Sequence, residues 1–149
     1  MNECEKIDLS SHVSTALPSM REAKCSFNPC LFCGYIYLYG GENQLMEAFS
    51  TRTDSFLPLL FPLPEASSCC LYVCNSFLIV HSYRYISKFA AGNAGQLLSH
   101  SQVEAQMSVN KYSNSQPVLD CLHGLFWIVQ ENRCICMDMD TGAQVQSFA

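Results

Sequence analysis

The chain has 149 residues, of which 49% are apolar and only 14% charged, with a formal net charge of −5. That length suits one ordinary domain, and the composition is too apolar and too weakly charged for a disordered chain. The 8 Lys and Arg are scattered among 13 Asp and Glu, which excludes the clustered basic face that nucleic acid requires.

The first twenty residues, "MNECEKIDLSSHVSTALPSM", open polar and acidic, without the apolar run of a secretory signal. They read as the last two strands of a preceding unit. "KCSFNPCLF" then gives a short strand, and "GYIYLYGG" follows from Gly34 to Gly41. In a strand Tyr35, Tyr37 and Tyr39 point one way, and Ile36 and Leu38 the other. Both faces are apolar, so both must be covered by protein. The closing glycines permit a positive φ at the turn and a close approach of backbones. "LMEAFST" (Leu45 to Thr51) reads as a third strand. "SFLPLLF" (Ser55 to Phe61) reads as a fourth, after the turn "TRTD".

The same order returns twice. "SCCLYVC", "NSFLIVHS" (Asn75 to Ser82) and "RYISKFA" (Arg84 to Ala90) are strands of a second unit. "LLSHSQVEAQMSV" (Leu97 to Val109) is the least regular segment and reads as a long loop followed by a fourth strand. "VLDCL", "HGLFWIVQE", "RCICMDMD" (Arg133 to Asp140) and "AQVQSF" (Ala143 to Phe148) form a third unit, with "DTG" as the turn before its last strand. The apolar strands start at Gly34, Asn75 and Gly124, a spacing of about 40 to 50 residues, which is the range of propeller blades. Leu17-Pro18 and Leu63-Pro64 keep the same phase, and "NSQPVL" (Asn114 to Leu119) precedes the third unit without the leucine. No segment has a convincing amphipathic helical period.

The fold expected is all-β, a partial β-propeller of about three four-stranded antiparallel blades. Residues 1–20 are the last strands of a preceding blade, and blades follow at 21–64, 65–113 and 114–149, the last one incomplete.

Ten cysteines raise the question of disulfides or zinc. Cys30 and Cys33 form a lone C-x-x-C inside an expected strand, where residues three apart face opposite ways. Cys134 and Cys136 share a face, but no nearby His or Cys completes a metal site. The cysteines therefore read as small buried apolar residues of a reducing, cytoplasmic location. "FLPLLFPLP" (Phe56 to Pro64) is about half a bilayer span and contains three prolines, so no membrane partner is expected. His12, His81, His100 and His123 have no carboxylate or thiol partner at a site-forming spacing and read as turn or packing residues. "DMDTG" (Asp138 to Gly142) lacks most of a calcium loop and reads as a hairpin turn. Serine-hydrolase, zinc-protease and phosphate-loop motifs are absent, and neither catalysis, metal nor cofactor is expected.

"IYLYGG" (Ile36 to Gly41) resembles the di-glycine signature of Kelch repeats. In that family the glycines are followed by an acidic residue, a Tyr-like position, a Trp-like position and Leu-Pro. Gly40, Gly41, Glu47, Phe49, Phe56, Leu63 and Pro64 match, with Phe at both aromatic positions. Arg21 after "LPSM" stands one or two places earlier than the arginine of the family's Leu-Pro segment. The resemblance covers residues 15–64. Over 65–149 it persists as spacing, because His81-Ser82 and Gln130-Glu131 replace the glycines. A WD-type propeller fits less well, since no Trp-Asp ends a strand. The resemblance implies a propeller used mainly for protein recognition.

On that reading the second-to-third and fourth-to-first strand connections form one rim. The partner-binding residues expected there are Arg21, Glu22, Glu42, Asn43, Tyr83, Arg84, Asn132 and Arg133. Arg21, Arg84 and Arg133 would converge to grip an acidic peptide, since guanidinium groups bind carboxylates bidentately. The same residues also read as solvated turns. Two other readings stand beside this one. Some Kelch propellers hold a redox metal, which here would need Tyr83 or Tyr85 near His81 and Cys74. Alternatively, the chain is a non-functional fragment of a longer Kelch protein. Propellers close with roughly four to eight blades, so self-association to complete the ring is expected if no longer chain supplies the rest.

Overall fold

The computed structural model describes residues 3–22, 29–40, 45–57, 61–62, 69–82, 85–104, 118–130 and 133–148. Among them all regular structure is β, apart from a single 3-10 turn at Asn93–Gly95. The chain divides into two compact units, Met1–Glu65 with Gly92–Gln96, and Ala66–Ala91 with Leu97–Ala149.

The first unit opens with a hairpin. β1 (Cys4–Ile7) pairs antiparallel with β2 (Ser14–Leu17), Cys4 opposite Leu17. Its turn is built on Asp8, whose Oδ1 accepts the backbone N–H of Ser10 and Ser11 at 2.8 and 3.0 Å and the Ser10 hydroxyl at 2.6 Å. These bonds, the Ser10 hydroxyl first, lower the Asp8 carboxyl to about 2.

A larger sheet follows in the order β3 (Cys30–Phe32), β4 (Tyr35–Gly40), β5 (Leu45–Ser50) and β6 (Ser55–Phe56), with β7 (Phe61–Pro62) also pairing β5. Phe32 opposes Tyr35, which leaves a two-residue turn of Cys33 (φ 49°) and Gly34 (φ 82°). Two left-handed residues match the right-handed twist of a hairpin. Cys33 therefore lies in the turn and is exposed, not in the strand with Cys30. The positive φ of "GYIYLYGG" sits at its first glycine, while Gly40 closes β4 opposite Leu45. Gly41 lies outside the described residues.

Both faces of β4 are covered where it runs deepest: Tyr37 is 1% exposed, and Leu38 and Tyr39 are buried on opposite sides. The Tyr37 hydroxyl donates to the Gly95 carbonyl at 2.8 Å. Where a fourth strand is expected over Ser55 to Phe61, the described residues hold two short pieces, β6 and β7. Pro62 has no N–H to donate, which confines this segment to the sheet edge.

The second unit contains two meanders. One runs β8 (Cys69–Cys74), β9 (Phe77–Ser82), β10 (Tyr85–Ala91) and β11 (Leu97–Glu104). The other runs β12 (Val118–Asp120), β13 (Leu125–Gln130), β14 (Arg133–Asp138) and β15 (Gln144–Phe148). The segment expected as a long loop starts as a strand at Leu97. β11 is an eight-residue edge strand with a bulge opposite Lys88 and Phe89. Most of its side chains are exposed, so the apolar alternation that reveals a strand is missing.

The two meanders share one core. Cys74, Ile79 and Ile86 pack with Phe126, Ile135, Met137 and Met139. Phe126 is fully buried and meets the rings of Tyr72 and His81 edge-on, at 6.2 and 4.7 Å. A buried phenylalanine of this kind contributes about 1.5–3 kcal/mol.

Candidate functional site

Among the described rim residues, Arg21 has the best-defined surroundings. It follows β2 and Met20, and its side chain is exposed. Its backbone N–H donates to Glu47 Oε1 at 2.9 Å. Glu47 sits in the middle of β5 opposite Leu38 and is only 2% exposed. A buried carboxylate needs hydrogen bonds to offset its lost hydration, and a backbone N–H is one suitable donor. The bond fixes the main chain at Arg21 while the guanidinium faces solvent. Glu22 is half-buried beside it. Arg133 opens β14 opposite Gln130, and its side chain lies outside the description. Glu42, Asn43, Tyr83, Arg84 and Asn132 lie outside the described residues, and with them the expected convergence of the three arginines.

The redox cluster does not assemble from its described members. His81 opposes Ile86 across β9 and β10, so Tyr85, one residue earlier, points to the other face. Cys74 opposes Phe77 at the far end of the β8–β9 pair, about four residues or ~13 Å from His81. Tyr83 lies outside the described residues. Among the described residues, no three His, Cys, Asp or Glu side chains stand together as a metal ion would require.

The histidines divide between packing and turn roles. His81 is buried against Phe126, its Nε2 has no hydrogen-bond partner, and burial lowers it to about 4. His123 does have a carboxylate partner, contrary to the sequence reading. Its Nδ1 lies 2.8 Å from Asp120 Oδ2, and its backbone N–H donates to Asp120 Oδ1 at 3.3 Å. The His123 side chain is the main reason the Asp120 carboxyl is held below its ordinary value. The signal was "DCLHG": Asp-x-x-His closing a tight turn, a spacing that matters only once the turn is known.

The cysteines are also less uniform than expected. Cys74 and Cys136 are buried, Cys33 is exposed, and Cys4, Cys30, Cys70, Cys121 and Cys134 are intermediate. The Cys74 thiol is pushed up to about 12, first by burial and then by a side-chain hydrogen bond with Cys121. Asn75 Nδ2 donates to the Cys121 carbonyl at 3.0 Å. "DMDTG" is the turn joining β14 to β15. Asp138 Oδ1 accepts the N–H of Asp140 and Thr141 at 2.9 and 2.7 Å and the Thr141 hydroxyl at 3.0 Å. That carboxylate oxygen is committed to its own turn.

No family model and no curated protein sequence matches the chain. Among solved structures it is similar to Hsv2 of the yeast Kluyveromyces lactis, a β-propeller protein. The form with loop 6CD replaced by a Gly-Ser linker superposes with a TM-score of 0.52 at 11% identity, over 98% of this chain and 59% of that one. The form with the complete loop gives 0.50 at 12% identity, over 99% and 57%. The chain thus spans less than two thirds of the length of these structures. At such identity the likeness speaks to fold alone. Together with the four-stranded antiparallel meanders, it makes the chain an all-β protein with the fold of a partial β-propeller.

Proposed function

We propose that the chain is a Kelch-type propeller segment that binds another protein through its strand-connecting loops and performs no catalysis. The observation that carries this reading is the Arg21–Glu47 tether, which holds an exposed arginine on a fixed main chain. A pre-ordered main chain lowers the entropy cost of gripping a partner. The Kelch assignment draws further support from the positions that match the repeat. The acidic one, Glu47, is buried, and the two aromatic ones, Phe49 and Phe56, oppose each other with ring centroids 5.1 Å apart.

The partner that suits an exposed arginine such as Arg21 is an acidic peptide segment. Arg21, Glu22, Glu42 and Asn43 serve the first unit, and Tyr83, Arg84, Asn132 and Arg133 the second. The site is proposed to work in the cytoplasm without nucleic acid or membrane. Pairing with a second copy to complete the ring is the companion proposal, read by light scattering.

The test is fluorescence anisotropy of a labelled Asp/Glu-rich peptide with the purified chain. Arg21→Ala, Arg84→Ala and Arg133→Ala are each expected to weaken binding about tenfold, since a charge-assisted hydrogen-bonded contact is worth roughly 1.5–3 kcal/mol. Binding that is indifferent to all three substitutions rejects the arginine rim.

A further inference from the structure

We propose that Cys74 and Cys121 form a reversible dithiol–disulfide site that is closed by low-molecular-weight disulfides such as glutathione disulfide and clamps two neighbouring sheets together. The two thiols come from different meanders: Cys74 ends β8, and Cys121 follows β12. They are 47 positions apart in sequence, counting from 74 to 121, yet the Cys121 side chain is near enough to help raise the Cys74 thiol. Cys121 also packs against the core cluster that contains Cys74.

The turn holding Cys121 is fixed from two sides. Asn75, next to Cys74 in the chain, donates its amide to the Cys121 carbonyl at 3.0 Å. Asp120 and His123 brace the same turn through the 2.8 Å contact between their side chains. With both ends of the pair anchored, the proposed disulfide has to close with little main-chain movement, which is the condition for an unstrained bond. Both members belong to the same compact unit.

Exposure assigns the roles. Cys74 is 4% exposed, whereas Cys121 is half-buried and the more accessible of the two. The Cys121 thiolate attacks one sulfur of glutathione disulfide. A Cys121–glutathione bond forms, the glutathione S–S bond breaks, and one glutathione leaves as thiolate and takes up a proton. Cys74 then attacks the Cys121 sulfur, expels the second glutathione, and passes its proton to it. Two protein thiols are oxidised and one glutathione disulfide is reduced to two thiols. Burial keeps the Cys74 thiol protonated until the second step, as suits a resolving cysteine.

The experiment treats the full chain with glutathione disulfide, quenches with an alkylating agent, and maps the peptides by mass spectrometry. The expected product is a Cys74–Cys121 linked peptide, reversed by dithiothreitol, with the melting temperature raised by several degrees because a long loop is closed. Cys74→Ser is expected to trap the glutathione adduct on Cys121. Because Cys74 is buried and that variant risks misfolding, Cys121→Ser at the half-buried position is the second probe, and it should leave Cys74 unmodified. Free Cys74 and Cys121 after treatment, a stable glutathione adduct on wild-type Cys121, or linkage of either residue to another cysteine each overturns the proposal.

Discussion

His81 is a neutral imidazole enclosed by protein, and its burial has a pH signature. Its folded value of about 4 lies below the ordinary 6.5. As pH falls below about 6.5, the unfolded chain gains a proton that the folded chain refuses. Stability is therefore full above that point and declines as pH drops towards 4, where the folded state also protonates. The loss is roughly 3 kcal/mol. Urea midpoints at pH 7 and 4.5 measure it, and His81→Leu should remove that share of the decline while other groups keep theirs. Equal declines in the two proteins would show that His81 is not held neutral. Glu47 invites a similar comparison. Glu47→Gln keeps an acceptor for the Arg21 N–H, whereas Glu47→Ala leaves that donor and a void behind. Urea unfolding should show Ala costing about 2–4 kcal/mol and Gln distinctly less. In sequence His81 reads only as a turn or packing residue, and Glu47 only as the acidic position of a repeat. A lone His in "LIVHS" and a lone Glu in "LMEAF" do not reveal what covers them.

Elements were legible where burial imposes a pattern. β4, β9 and β13 stand out because strands covered on both faces must be apolar throughout. β11 did not, because an edge strand with wet side chains carries no such constraint. Lys88 shows the same limit. It is buried in β10 and pairs with Asp140, whose turn lies 52 residues further on. Turns are set by φ rather than hydrophobicity, and two glycines separate the effects of conformation and space. Gly34 has φ +82°, and an added Cβ would meet nothing within 4 Å. Gly34→Ala should therefore cost only the left-handed penalty, about 1–2 kcal/mol. Gly142 has φ +70°, and its added Cβ would run into the Glu104 carbonyl. Gly142→Ala should cost distinctly more, because a backbone group, unlike a side-chain tip, cannot swing aside. Thermal melts of the two variants give the order, and an equal loss would show that β11 does not press on the β14–β15 turn.

At the scale of the molecule, repeat spacing told more than any single motif. The four-strand rhythm follows from covering two-sided apolar strands, whereas the loop residues expected to bind a partner follow from no such constraint. What holds sheets together is written in residues far apart in the chain. Phe126 is the clearest case in the second unit: it is fully buried, it opposes Met137 within its own sheet, and it meets Tyr72 and His81 of the neighbouring sheet. Phe126→Ala should cost about 3–5 kcal/mol, the range for emptying a packed aromatic site. The stability loss alone would not identify a shared core, since any buried ring gives one. Hydrogen exchange does so. If the two meanders open as one cooperative body, amides of β9 and β10 lose protection together with those of β13 and β14, although the substitution lies in β13. Loss confined to β12–β15 would mean that each sheet holds itself, and that the packing between them contributes little to stability.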